Sequence, residues 1–111
     1  MFLAGFALSV TMPLGAPYPG AAMLGAADRQ KCMTSYRLKT ADSLDRVAGF
    51  YAAEASAAHT PLVADTGAGS KNYRTLVFIS QPRYLSIVLS RDGGETSVRV
   101  RFHLDRPAGC S

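Results

Sequence analysis

One stretch of this chain, Thr40–Ala58 (TADSLDRVAGFYAAEASAA), carries a sustained helical periodicity, and the remaining elements have to be arranged around it. Leu44, Val47, Ala48, Tyr51 and Ala55 recur at spacings of three and four and define a buried stripe, with Phe50 at its edge. Arg46, Glu54 and Ser56 are expected off that stripe. Asp42 or Ser43 is placed to cap the helix, and Asp45 puts negative charge in the first turn, where the macrodipole favours it. The alanine-rich second half has high helix propensity and allows close approach to a neighbouring layer. His59-Thr60-Pro61 ends the helix, with His59 positioned as a partner for the C-terminal dipole.

Everything downstream reads as strand and turn. Tyr73–Ser80 (YRTLVFIS) is rich in β-branched and aromatic residues and is expected to be buried on much of both faces. Gln81-Pro82 breaks it. Tyr84–Ser90 alternates, with Leu85, Ile87 and Leu89 inward and Ser86, Val88 and Ser90 outward. Asp92-Gly93-Gly94 is a hairpin signal, because a tight primed turn needs positive φ at its centre. In Thr96–Leu104 the inward set is Val98, Val100, Phe102 and Leu104, and the outward set is Ser97, Arg99, Arg101 and His103. Pro61–Asp65 forms a short strand, and Met33–Lys39 a half-buried one that precedes the helix. The expected fold class is therefore α+β: one helix packed on a four- to five-stranded, mostly antiparallel sheet in the order β-α-β-β-β-β.

The N-terminal region is treated apart from a single domain over residues 17–111. Met1–Val10 (MFLAGFALSV) matches a signal-peptide h-region in length but lacks a basic n-region, and it falls short of the ~20 apolar residues of a membrane span. Residues 1–16 are accordingly read as a signal peptide or N-terminal apolar segment, the alternative being that residues 1–12 are a buried strand or helix of the domain. An uncleaved segment would be the chain's means of membrane attachment. Pro13–Gly25, with three prolines and three glycines, is expected to be extended or irregular.

The two cysteines bear on both topology and compartment. If the first and last strands of the sheet lie side by side, the start of one and the end of the other meet, and those ends carry Cys32 and Cys110. An oxidising compartment would let them form a disulfide; the alternative is two free thiols. With two cysteines and two histidines at no ligand spacing, no metal and no cofactor are expected.

Charge is distributed unevenly along the 111 residues, whose formal net charge is +4. Residues 1–70 balance five basic against five acidic side chains, whereas residues 71–111 hold seven basic against three acidic. The outward row Arg99, Arg101 and His103, extended by Arg37 and Lys39 if their strands are neighbours, would form an anion-attracting stripe on the sheet face that the helix leaves bare. An anionic lipid, an anionic glycan or an acidic protein partner suits such a stripe. Nucleic acid is disfavoured, because Tyr84 is the single exposed aromatic on offer for base stacking. No catalytic residues are assigned: Asp42 and Asp45 are explained as cap and dipole partners, and a Ser86, Ser90 and His103 grouping lacks an orienting acid and an oxyanion hole. The Thr66–Ser70 glycine loop lacks the lysine of a phosphate loop.

Three short motifs, Pro17-Tyr18-Pro19-Gly20-Ala21, then Thr40-x-Asp42-Ser43-x-x-x-Val47-x-x-Phe50-Tyr51, then Gly93-Gly94-x-Thr96, resemble a loosely defined group of small uncharacterised bacterial exported proteins. The resemblance spans Pro17–Phe102. It implies a periplasmic or secreted, envelope-associated, helix-on-sheet domain and implies no activity. The expected function is a non-catalytic module that binds a partner or anionic ligand through its open sheet face; the alternative is a small envelope hydrolase.

Overall fold

The computed structural model describes residues 13–30 and 32–105. Seven strands form one antiparallel sheet: β1 (Ala22–Met23), β2 (Asp28–Gln30), β3 (Met33–Thr40), β4 (Leu62–Thr66), β5 (Tyr73–Ser80), β6 (Arg83–Asp92) and β7 (Glu95–His103). Among the described residues there is a single helix, α1 (Leu44–Ala57), which separates β3 from β4. The strands lie in the order β1-β3-β7-β6-β5-β4, with β2 also pairing β3.

This overturns the expected α+β class with four to five strands: among the described residues the fold is mostly β, with one 14-residue helix and seven strands. Of the two additional strands, β1 comes from the proline- and glycine-rich stretch Pro13–Gly25 expected to be irregular, and β2 from the residues just after it. β1 and β2 run along the same outer edge of β3, pairing Ala22 with Lys39 and Asp28 with Ser35. Between them the Leu24 N–H still donates to the Arg37 carbonyl at 2.9 Å, and Gly25 then turns the chain at φ +86°. Together they act as one interrupted edge strand. All five of its paired residues are exposed, so no alternation of apolar side chains betrays it.

Ladder pairing places side chains in rows across the sheet. On one face, Tyr36, Val100, Ile87 and Leu76 are successive partners, as are Leu38, Val98 and Leu89. Each of these is at most 5% exposed. The helix lays Leu44, Val47, Ala48, Tyr51 and Ala55 against them, burying the stripe that its periodicity defines. Phe102 is half-buried at the margin, while Leu104, expected inward, lies past the end of β7 and is 48% exposed.

Local chemistry sets the element ends. Ser43 caps α1, its hydroxyl accepting from the Arg46 N–H at 3.2 Å. At the other end His59 adopts left-handed φ (54°), and two reverse bonds close the helix: Thr60 N–H to Ala55 carbonyl and His59 N–H to Ser56 carbonyl. His59 thus closes the helix through its backbone conformation. The β6–β7 hairpin pairs Asp92 with Glu95 around Gly93 (φ 58°) and Gly94 (φ 90°), the two positive-φ positions a primed turn demands. Cys32 is disulfide-bonded; Cys110, its expected partner, and the apolar segment Met1–Val10 lie outside the described residues.

Candidate functional site

The face turned away from α1 is built by the same alternation that buries the core. Arg37 on β3 lies directly opposite Arg99 on β7, and Arg99 is in turn opposite Val88 on β6. The adjacent row runs Ser35, Arg101, Ser86, and the row on the other side runs Lys39, Ser97, Ser90, Tyr73. Arg37, Lys39, Arg99 and Arg101 are all exposed. By alternation the structure therefore places all five sequence-selected residues on one face of two neighbouring strands, four of them exposed and His103 half-buried at the end of β7.

Their electrostatic situations differ. Lys39 Nζ lies 3.8 Å from Glu95 Oε1, so its charge is partly answered. Arg37, Arg99 and Arg101 have no carboxylate within 4.0 Å among the described residues. Two like charges directly opposite on paired strands oppose the pairing, and the nearest acid on this face, Asp28, borders the same hollow without reaching ion-pair distance of any of the three guanidinium groups. His103 stands apart. It stacks on Tyr84 with ring centroids 5.5 Å apart and planes 20° from parallel, and its buried Nδ1 has no hydrogen-bond partner among the described residues.

Two shallow hollows flank the arginines. One of about 320 Å³ is bordered by Leu24, Arg37, Tyr73, Val88 and Arg99. The other, of about 310 Å³, is bordered by Arg37, Arg99 and Arg101 together with Asp28. A larger groove of about 600 Å³ lies on the helix side, between α1 and β4–β5, with Leu76 and Phe78 in its lining. Its cation, Arg74, is already held by Asp65 through two bonds of 3.1 and 3.0 Å and by Asp45 at 3.6 Å. Those bonds hold the Asp65 carboxyl below its ordinary range and raise the Arg74 guanidinium. Despite its size the groove offers no unanswered charge, and the arginine face remains the better candidate.

A buried polar cluster, not foreseen from sequence, ties the N-terminal segment to the fold. Glu54, expected off the helix stripe, is 1% exposed. Its Oε1 accepts the Gly15 N–H at 3.1 Å, and Oε2 is buried with no partner among the described residues. Burial pushes its carboxyl up to about 8, against the opposing effect of the Gly15 bond. The Tyr36 hydroxyl donates to the Gly15 carbonyl at 3.0 Å, so its 3.0 Å contact with Tyr51 uses the Tyr51 proton. Tyr51 in turn accepts the Tyr18 N–H at 3.1 Å. Burial raises both phenols, that of Tyr51 to about 12. Tyr18 donates its own hydroxyl to Asp42 Oδ2. The signal for Glu54 was positional: it stands three residues after Tyr51 and seven after Val47, on the stripe by spacing despite its charge.

Among the described residues no group of three or more His, Cys, Asp or Glu side chains could hold a metal ion, and no helix is long and apolar enough to cross a membrane. No protein-family model, curated protein or solved structure matches this chain.

Proposed function

We propose that this protein is an exported, envelope-associated, non-catalytic module that binds an anionic ligand through the sheet face left bare by α1. The observation that carries the reading is the juxtaposition of Arg37, Arg99 and Arg101 on β3 and β7, exposed and without a carboxylate within 4.0 Å among the described residues. Guanidinium groups suit this task, since their planar fork of donors matches phosphate, sulfate and carboxylate oxygens and their charge persists at all physiological pH. A disulfide at Cys32 accords with an oxidising compartment.

The test is salt-dependent retention on a heparin column, together with co-sedimentation with phosphatidylglycerol vesicles. A triple variant, Arg37→Ser, Arg99→Ser and Arg101→Ser, should lose both while keeping its far-ultraviolet circular dichroism. As a control, Lys71→Ser removes one charge from the loop between β4 and β5 and should change little. Equal retention of the triple variant and the parent would overturn the reading.

A further inference from the structure

We propose that the hollow bordered by Leu24, Arg37, Tyr73, Val88 and Arg99 binds a phosphate-headed amphiphile, a monoester whose head sits between Arg37 and Arg99 and whose apolar tail crosses β6 toward Tyr73. The proposal rests on the reading of this face as an anion site and adds the ligand's chemical class. Three observations carry it. First, Arg37 and Arg99 are cross-strand partners bordering the same hollow, so two guanidinium groups can converge on one head, which suits a phosphate monoester dianion better than a monoanionic carboxylate.

Second, the charge is followed at once by apolar surface. Val88 is the cross-strand partner of Arg99 on the next strand, and Tyr73 on the strand after that is 47% exposed. Leu24, 37% exposed, stands on the outer edge beside Arg37. Exposed large apolar side chains bordering the same hollow as the arginines ask for a ligand that is apolar at one end. With strands about 4.8 Å apart and Tyr73 one row over from Arg99, the diagonal path across β6 is about 12 Å, within reach of an extended medium-length alkyl chain.

Third, of the two hollows beside the arginines this is the one without an acid in its lining. Among the described residues Asp28 borders the second hollow and Asp45 the groove on the helix side, whereas here the one further charge is Lys39, already turned to Glu95. An anionic head is therefore repelled by neither wall. At about 320 Å³ the space suits one small ligand lying along the sheet.

Calorimetric titration of the full chain with octyl phosphate, inorganic phosphate and octanol, each below any micelle-forming concentration, separates head from tail. Octyl phosphate should bind at least tenfold tighter than inorganic phosphate, and octanol should bind more weakly than either. Val88→Ser and Tyr73→Ser should each remove several-fold of the octyl phosphate affinity and leave inorganic phosphate unchanged; Tyr73 is exposed enough that its variant folds even if the half-buried Val88 variant does not. Equal affinity for octyl phosphate and inorganic phosphate, or an octyl advantage indifferent to both variants, would overturn the proposal while the heparin result keeps the anion site. If Arg37→Ser and Arg99→Ser alter neither heparin retention nor phosphate binding, the proposal and the reading beneath it both fall.

Discussion

Glu54 and Gly15 are joined across 39 residues by a 3.1 Å bond from the Gly15 N–H to a carboxyl group that is almost wholly buried. Charging that carboxyl would place an anion beside Oε2, for which the described residues supply no donor. Its folded-state value near 8 lies above the ordinary 4.5, so between those two pH values the folded chain holds a proton that the unfolded chain has released. Stability contributed by neutral Glu54 is complete below about 4.5 and is lost progressively as pH rises to about 8. The penalty at the top of that window is on the order of a few kcal/mol. Glu54→Gln should therefore match the parent at pH 5 and exceed it at pH 8.5 by several degrees in Tm, a difference read by thermal melts at the two pH values. A variant whose deficit or gain is equal at both would mean that Glu54 stays charged in the fold.

Tyr51→Phe probes the other half of the same strap. The proton path runs from the Tyr18 N–H to the Tyr51 oxygen, from the Tyr51 hydroxyl to Tyr36, and from Tyr36 to the Gly15 carbonyl. Removing one oxygen orphans a buried N–H and withdraws a donor from Tyr36, at a cost of about 1–3 kcal/mol. Urea unfolding should show that loss with an unchanged slope, since the surface exposed on unfolding is the same. Tyr36→Phe should cost a similar amount, and the double variant less than the sum, because both belong to one chain of bonds.

Gly15→Ala should be more damaging than its size suggests. Gly15 sits at φ +88°, and an added Cβ would come within 2.5 to 2.7 Å of the Phe102 ring. The strap would have to lift or the ring turn, with a loss of roughly 1–3 kcal/mol. Phe102→Leu should restore part of the loss in the double variant and leave the backbone component. Restoration of nothing would place the whole effect in the backbone.

These relationships show what the amino-acid pattern discloses and what it conceals. Core positions on β3, β6, β7 and α1 are spelled out by periods of two and of three to four, because each of those elements buries one face; β5, expected to be buried on much of both faces, fully buries only Leu76 and Phe78 on one face, its β-branched and aromatic run concealing the alternation. The edge segment β1–β2 carries no such pattern: its residues are exposed, and it is held by backbone bonds to β3 that any sequence could make. Glu54 was hidden for the opposite reason. Its position marks it as buried and its charge marks it as exposed, and position wins because burial leaves the carboxyl neutral at most physiological pH. The arginine face was visible as alternation within β7, but the opposition of Arg37 to Arg99 depends on β3 pairing with β7 across the whole chain, which local pattern does not encode.

That opposition yields the last prediction. Arg37 and Arg99 are exposed cross-strand partners of like charge, and such pairs weaken the ladder they sit on. Arg99→Ser should leave Tm unchanged or raise it by roughly 1–2 °C at low ionic strength, a gain that fades at high salt as screening shortens the reach of the repulsion. Phosphate should raise the Tm of the parent above its value in chloride of equal ionic strength, because an anion held between the two groups stabilises the folded state by mass action. The Arg99→Ser variant should show no such preference for phosphate. If instead it melts well below the parent in either salt, Arg99 serves the fold through the packing of its aliphatic stem, and holding an anion is not what this pair of arginines is for.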